Sequence, residues 1–293
     1  MNMREMFVKT TNELIEKDPK VSLVLGGISV ASFSESIRKF PERVFDAGIM
    51  EQGDISIASG LAITGMIPIF HTIAPFLAER AYEQLKIDFG YQKLGGNFVS
   101  NGASLDYSSF GATHQCPAEI GILKLIPGMQ VIVPGTPDEF RDLFMQTYNN
   151  GCPTYTRLAR DVNKESRKVS FGKADVVKRG TKATIIAVGP MLQMALDATE
   201  DLDVTILYYT TVSPFDTMTL VENLSGSHIL VCEPYYEGAL DYEISKAIDK
   251  PIKLSHIGIP HEFCKHYGNT IDNYKEMGLT IDNIRNKVNS MIK

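Results

Sequence analysis

The sequence has few cysteines, no excess of basic residues and no long hydrophobic run, and each absence excludes a class of protein. Its four cysteines are scattered over 293 residues without a CxxC pair, which argues against a disulfide framework or a cysteine-rich zinc site. Lysine and arginine number 29 against 35 acidic residues, and the resulting net charge of −6 predicts no nucleic-acid partner. No apolar run is long enough for a membrane span and no signal peptide is visible, so we expect a cytoplasmic protein.

The motifs of the commonest nucleotide-binding and hydrolytic enzymes are also missing. The sequence contains no GxxxxGK(S/T) phosphate loop, no GxGxxG fingerprint, no HExxH helix and no GxSxG elbow. His261 and His266 are one residue too far apart for the HExxH zinc pattern. These absences indicate a different cofactor, or a site that another chain completes.

Short β-branched runs alternate with longer helical patterns along the chain, which is typical of βα units and a mostly parallel sheet. We therefore predict an α/β protein with two parallel-sheet-based domains. The predicted strands cover residues 21–25, 43–46, 67–71, 97–100, 129–133, 154–158, 183–188, 203–208, 228–232 and 252–257. The predicted helices cover residues 4–17, 52–63, 75–87, 137–148, 191–199, 239–247 and 281–291.

The hydrophobic periodicity fades between residues 158 and 182, where basic residues accumulate among serine, glycine and aspartate. We interpret this stretch as a solvated linker between two domains. The predicted domains are residues 1–165 and 169–293, in keeping with a chain of this length.

Residues 45–52 read as a strand end, a glycine turn and a glutamate, Glu51, that opens a helix rich in small residues. This pattern places a carboxylate at an apolar boundary. One interpretation is structural, because a carboxylate favours a helix N-terminus by about 0.3–1 kcal/mol. The other is chemical, because a buried carboxyl group can carry a proton. The residues alone leave both interpretations open.

Several separated motifs occur in a fixed order: FPERVFDAGIMEQ at residues 40–52, PFLAERAYEQ at 75–84, THQ at 113–115 and IPGM at 126–129. Together they resemble the pyrimidine-binding and carboxy-terminal regions of the transketolase and deoxyxylulose-phosphate synthase family of thiamine diphosphate enzymes. The resemblance covers nearly the whole chain. It implies a pyrimidine-binding fold followed by a transketolase carboxy-terminal domain whose role is mainly dimer packing.

The resemblance implies cofactor-binding roles for three residues. Glu51 matches the glutamate that hydrogen-bonds a ring nitrogen of the cofactor's aminopyrimidine and favours the imino tautomer, which then takes the thiazolium proton. Phe76 matches an aromatic residue that packs on the pyrimidine ring, and Arg80 matches an arginine on the cofactor or substrate side. Without the resemblance, we would interpret Phe76 as an aromatic residue of the hydrophobic core and Arg80 as a charged residue on the surface of a helix.

The resemblance implies substrate-binding roles for two more residues. His114 matches a histidine that contacts the sugar hydroxyls and assists proton transfer, which makes it a catalytic candidate beside Glu51. Arg160 matches an arginine that binds substrate phosphate, a group that its planar donors suit. Phe110 stands where the family often has an acidic residue, which indicates an altered pocket for substrate hydroxyls.

One family element is absent from the sequence. Full-length members carry a further domain that binds the diphosphate through a metal held by a Gly-Asp-Gly motif, and this chain contains no such motif. Its first predicted strand begins by Val21. We therefore expect a split enzyme in which a separate amino-terminal, diphosphate-binding subunit supplies the Mg²⁺ ligands, with no metal ligands on this chain. We expect two copies of each chain in a heterotetramer.

The leading hypothesis is thus the pyrimidine-binding subunit of a split transketolase, which moves a two-carbon ketol unit between sugar substrates. A second hypothesis is the beta subunit of a 2-oxoacid dehydrogenase, or a decarboxylating enzyme like deoxyxylulose-phosphate synthase. Release of carbon dioxide from pyruvate would distinguish these, and His114 favours ketol transfer. A third hypothesis is a binding module without activity, since fold alone does not fix function.

Overall fold

The computed structural model describes residues 1–160 and 162–293, and it has an α/β architecture built on two mostly parallel sheets. The predicted fold class is therefore confirmed. The strands are β1 (Val21–Leu25), β2 (Val44–Asp46), β3 (Ile67–Ile73), β4 (Gly96–Asn101), β5 (Gln130–Ile132), β6 (Pro153–Leu158), β7 (Asp175–Lys178), β8 (Thr184–Val188), β9 (Thr205–Tyr209), β10 (Thr211–Ser213), β11 (His228–Tyr236) and β12 (Lys253–Ile259).

The first sheet has seven strands in the order β10-β5-β6-β4-β3-β1-β2. Six of them run parallel, and every residue of β1 and β6 is buried. Continuous burial is typical of central parallel strands, because both faces of the sheet are covered. The carboxyl ends of these six strands therefore share one edge of the sheet.

The second sheet has five strands in the order β12-β11-β8-β9-β7, and β7 pairs antiparallel with β9. Strand β7 lies inside the stretch predicted as a solvated linker, so that prediction is wrong for residues 175–178. The basic side chains of this stretch also make specific contacts: Arg167 Nε donates to Asp175 Oδ2 at 2.7 Å. A four-residue edge strand with adjacent valines between two charged residues shows no alternating pattern, so the sequence did not reveal it.

Strand β10 leaves the second half of the chain and joins the edge of the first sheet. It pairs antiparallel with β5, and Ser213 Oγ donates to the Met129 carbonyl at 2.8 Å. The sequence analysis did not predict this strand. Its three residues are too few to show an alternating pattern.

The helices are α1 (Met3–Lys17), α2 (Ser34–Lys39), α3 (Glu51–Ile63), α4 (Tyr82–Gln84), α5 (Glu119–Leu123), α6 (Pro137–Thr147), α7 (Met191–Ala198), α8 (Thr217–Glu222), α9 (Asp241–Ala247), α10 (Thr270–Glu276) and α11 (Ile281–Met291). Local sequence fixes several of their starts. Asn2 and Glu5 form a capping box at α1, and Thr136 caps α6, which has Pro137 in its first turn.

The segment predicted as one α-helix over residues 75–87 is mostly π-helical. It consists of the π-helical segments Phe76–Arg80 and Leu85–Tyr91 on either side of α4. The apolar spacing predicted a helix correctly, but the spacing does not distinguish an α-helical from a π-helical turn. Short π-helical turns within helices are frequent at functional sites.

The two halves of the chain share one hydrophobic core. Phe70 and Tyr155 of the first sheet belong to the same buried cluster as Ile186 and Tyr209 of the second. None of the helices in residues 1–160 and 162–293 is long and apolar enough to cross a membrane.

Candidate active site

Glu51 is held at the start of α3 by the turn that follows β2. Gly48 has φ +90°, a left-handed conformation that suits glycine, and its N–H lies 3.3 Å from Asp46 Oδ1. The same oxygen accepts a 3.0 Å hydrogen bond from the N–H of Gly27, which follows β1. These bonds tie the ends of two strands together, and they place Glu51 in a position where it is only 2% exposed.

The two carboxylate oxygens of Glu51 have different surroundings. Oε2 accepts a 2.9 Å hydrogen bond from Arg80 Nη1, and the pair is charge-assisted. Oε1 is buried and has no hydrogen-bond partner among the residues that the structure describes. A buried acceptor without a partner is unfavourable, so Oε1 is available to a donor from outside the chain.

Arg80 lies between Glu51 and the ring of Phe76. Its guanidinium carbon is 4.1 Å from the centroid of the Phe76 ring, which is within cation–π range. Phe76 and Arg80 both belong to the first π-helical segment, which follows the carboxyl end of β3. The Arg80 guanidinium orients Glu51 through their ion pair. Because the Arg80 side chain is 46% exposed, it can also bind an anion.

Three aromatic rings surround His114. The Phe76 ring contacts it edge to face at 5.2 Å, the Phe110 ring stacks on it at 4.9 Å, and Tyr107 lies at 6.2 Å. Thr113 Oγ1 is 2.9 Å from His114 Nδ1. The imidazole is half-buried and is held by ring contacts on several sides.

Arg160 begins the loop that follows β6. Its backbone N–H donates to Asp106 Oδ2 at 3.0 Å, and its guanidinium carbon is 5.1 Å from the centroid of the Tyr107 ring. The side chain is exposed and borders a cavity of about 370 Å³ that residues 269–272 also line. Tyr107 thus contacts both Arg160 and His114.

The five site residues predicted from the sequence are connected by side-chain contacts, with Tyr107 as a sixth residue between His114 and Arg160. The contacts run in the order Glu51, Arg80, Phe76, His114, Tyr107 and Arg160. All of them follow the carboxyl ends of parallel strands of the first sheet, the edge at which open α/β sheets bind ligands. The structure brings the predicted site together, and the chemical role of each residue stays a prediction.

Asp54 is a second buried carboxyl that the sequence analysis did not single out. It lies one turn after Glu51 on α3, it is fully buried, and neither of its carboxylate oxygens has a hydrogen-bond partner in the described part of the chain. Burial, together with the neighbouring Glu51, raises the pKa of Asp54 to about 6. An acidic residue at i+3 on the same helix was the available signal.

Tyr267, from the second half of the chain, contacts the loop that carries His114. Its ring packs on Gly111, and a Cβ at that glycine would lie only 2.6 Å from the ring. Gly111 has φ +72°, so this loop position needs glycine for its backbone as well as for this contact. No pattern in the sequence predicts a contact between such distant residues.

A buried polar network is centred on Glu119 of α5. Arg157 Nη1 is 2.9 Å from Glu119 Oε1, the Tyr155 hydroxyl donates to Glu119 Oε2, and Arg157 Nη2 donates to the Pro234 carbonyl at 3.2 Å. Burial raises the pKa of Glu119, and the charge of Arg157 opposes that rise. The network fixes β6 to β11 and so holds the loop of Arg160 in place.

Two known protein families match the chain. Residues 1–166 match the family described as transketolase, pyrimidine binding domain, and residues 172–284 match transketolase, C-terminal domain. These matches confirm the resemblance predicted from the sequence motifs.

Curated relatives include chains of similar length and longer enzymes. A 33.6 kDa protein of the fasciation locus of Rhodococcoides fascians is 36% identical over 296 residues, which are 99% of this chain and 95% of the relative. A subunit of the apulose-4-phosphate transketolase of Actinobacillus succinogenes is 24% identical over 96% of this chain and 97% of its own. The 1-deoxy-D-xylulose-5-phosphate synthase of Pseudoalteromonas translucida is 28% identical, and the chain spans only 42% of its length.

A solved structure agrees with these sequence matches. A split gene transketolase, an inactive β4 tetramer, has a TM-score of 0.86 and 26% identity, and the match covers 100% of this chain and 98% of that one. Because one family match covers more than half of the chain and the second covers most of the remainder, the chain belongs to the transketolase family, with a pyrimidine-binding domain followed by a C-terminal domain.

Proposed function

We propose that this chain is the pyrimidine-binding subunit of a split transketolase that depends on thiamine diphosphate and transfers a two-carbon ketol unit between sugar substrates. One observation carries the proposal: Glu51 is buried beside Arg80 and Phe76, and its Oε1 has no partner within the described residues. The similarity to a subunit of an apulose-4-phosphate transketolase and to a split gene transketolase supports it.

The residues present fit the pyrimidine ring of thiamine diphosphate. Glu51 Oε1 would accept a hydrogen bond from a ring nitrogen, and Phe76 would pack on the ring. Arg80 engages the other oxygen of Glu51 and so keeps the carboxylate in place. When bound, the cofactor supplies the nucleophilic carbon that amino-acid side chains do not offer.

Glu51 acts in this proposal by sharing a proton with the pyrimidine ring nitrogen. Its burial strengthens that hydrogen bond, because water does not compete for the carboxylate. His114 acts on a substrate hydroxyl, where it takes or returns a proton. Its Nδ1 is engaged by Thr113 Oγ1 at 2.9 Å, which leaves Nε2 for the substrate.

Arg160 binds the anionic end of the substrate in this proposal. Its guanidinium is exposed beside a cavity, and a guanidinium can pair with phosphate through two parallel hydrogen bonds. Phe110 is 57% exposed and stacks on His114, so the wall beside the histidine is aromatic. We infer an acceptor with fewer hydroxyl groups at that position than a common aldose phosphate.

The proposal includes a second polypeptide that binds the diphosphate group and provides the Mg²⁺ ligands, with two copies of each chain in the assembly. Ile49 and Met50, directly before Glu51, are 74% and 57% exposed. Apolar side chains beside a buried carboxylate are suited to contact with a second chain. The similarity to a split gene transketolase and to a subunit of an apulose-4-phosphate transketolase, each matched over almost its whole length, supports the same division into two chains.

The first test is calorimetric binding of thiamine diphosphate and Mg²⁺ to this chain alone and to its mixture with a candidate diphosphate-binding subunit. We expect tight binding only in the mixture. Tight binding by the isolated chain would contradict the two-subunit proposal.

The second test addresses Glu51. Glu51→Gln should slow exchange of the cofactor's thiazolium proton about 100-fold in the assembled complex, because the proton-sharing carboxylate is lost. Glu42→Gln, at a side chain that is 69% exposed, is the matched control. Exchange at the normal rate in Glu51→Gln would remove this residue from the mechanism.

A decarboxylating synthase is the second candidate function, and the 28% identity to a 1-deoxy-D-xylulose-5-phosphate synthase favours it. Release of labelled carbon dioxide from pyruvate by the assembled complex would identify this activity. Ketol transfer without carbon dioxide release would identify the transketolase.

A further inference from the structure

A cavity of about 800 Å³ lies between the two halves of the chain, apart from the contacts around Glu51. It is lined by the end of β6, by the first turns of α7 and α11, and by α10. Two of its lining residues belong to the surroundings of Arg160: Asp106 bonds the Arg160 backbone, and Ile271 also lines the cavity that Arg160 borders. Its size and its place between two domains are typical of small-molecule sites.

The wall of this interdomain cavity is mainly apolar. Met191 and Met194 of α7 face Leu279 and Ile281, which flank the start of α11. Ile281 is 41% exposed, so an apolar side chain at the cavity remains in contact with water. Methionine side chains adapt to ligands of different shape, and covering this wall would be favourable.

The polar groups of the cavity include three cations. Arg157 is 1% exposed, and its Nε has no hydrogen-bond partner in the described chain, although its Nη1 pairs with Glu119. Lys275 forms no ion pair with any described residue, and Lys164 pairs with Asp197 at 3.3 Å on the surface. A buried donor without a partner is unfavourable, and an anionic acceptor would satisfy it.

Two carboxylates also line the cavity. Asp106 Oδ2 accepts the backbone N–H of Arg160, and Asp282 lies in the first turn of α11, where a helix favours negative charge. An anionic ligand would pair with the cations of the cavity and not with these two groups.

We propose that the interdomain cavity is a binding site for a small organic anion with an apolar body. The apolar body lies against the methionines of α7 and the start of α11, and the anionic group meets Arg157 Nε and Lys275. This site is separate from the proposed cofactor site. Thr270 Oγ1, on α10, donates to the Asp106 carbonyl at 3.3 Å, so a ligand here contacts the elements that position Arg160.

The test uses the full chain and the fluorescent probe 8-anilinonaphthalene-1-sulfonate, which has an aromatic body and one sulfonate. We expect saturable binding with one probe per chain. Lys275→Glu, which reverses a charge, and Met194→Trp, which fills the apolar wall, should each weaken the Kd at least tenfold. The matched controls are Lys250→Glu and Met218→Trp, at exposed positions outside the cavity, and they should leave the Kd unchanged.

The uncharged analogue N-phenyl-1-naphthylamine tests the requirement for an anion. It should bind at least tenfold more weakly, and its Kd should not respond to Lys275→Glu. Circular dichroism of each variant separates a lost site from a lost fold. Absent binding, or binding that both cavity variants leave unchanged, would overturn the site, and equal affinity for both probes would overturn the anionic class.

Discussion

Glu51 and Asp54 lie one helical turn apart on α3, yet only Glu51 has a cation beside it. Arg80 pairs with Glu51 at 2.9 Å, whereas both oxygens of Asp54 are buried without a hydrogen-bond partner in the described residues. Burial raises the pKa of Asp54 from 3.8 to about 6. The folded chain therefore holds the Asp54 proton to a higher pH than the unfolded chain does.

Asp54→Asn should stabilise the isolated chain by about 3 kcal/mol at pH 8, because an amide avoids the cost of burying an ionised carboxylate. That cost is absent well below the unfolded pKa, grows as the pH rises from the unfolded pKa to the folded pKa, and is complete above the folded pKa. The gain should therefore fall below about 1 kcal/mol near pH 4. Urea unfolding at both pH values checks this, and an equal gain at both would show that ionisation is not the cause.

Arg160→Ala should raise the KM for phosphorylated substrates about tenfold in the assembled enzyme, because a charge-assisted pair contributes about 1.5–3 kcal/mol. The kcat should change little. Steady-state kinetics with a phosphorylated and an unphosphorylated acceptor checks this. An equal rise in KM for both acceptors would contradict phosphate binding by Arg160.

At the scale of elements, the edge strand β10 joins the two halves of the chain. Its central residue, Val212, is 1% exposed and belongs to the shared core, and its neighbours pair with β5. The first sheet is thus complete only when this short strand from the second half is in place.

Val212→Asp should lower the free energy of unfolding by about 3 kcal/mol, because it buries a carboxylate at the sheet edge. Val221→Asp, on α8 at a side chain that is 52% exposed, is the control and should cost less than about 1 kcal/mol. Thermal and urea unfolding measure both. A similar loss in the two variants would mean that β10 contributes little to the fold.

At the scale of the whole molecule, the two predicted domains, residues 1–165 and 169–293, pack against each other. Tyr155 and Ile186 share a buried cluster, and the guanidinium of Arg157 bonds to the Pro234 carbonyl of β11. The two halves therefore support each other through apolar contacts and through a buried polar network.

A fragment of residues 1–165 should lack a cooperative unfolding transition, because it loses β10 and exposes the apolar surface that the second half covers. The full chain should unfold in one transition. Differential scanning calorimetry and size-exclusion chromatography of both check this. A soluble fragment with a sharp transition near that of the full chain would contradict the coupling.

The sequence by itself determined the class of fold, and it named most of the residues of the candidate site, whose roles stay predictions. Apolar strands and helical periodicity are local, so elements such as β1 and α11 could be predicted closely. The motifs around Glu51 and His114 identified candidate site residues from the sequence. In the structure both motifs follow strands of the first sheet and lie at one edge of it.

Only the tertiary structure decided the elements and contacts that depend on distant residues. Strands β7 and β10, of four and three residues, are too short to show an alternating pattern, and each pairs with a neighbouring strand at the edge of a sheet. The π-helical turns, the burial of Asp54 and the contact of Tyr267 with Gly111 were also visible only in the folded chain. Burial and long-range contact are properties of the folded chain, which is why no local pattern could predict them.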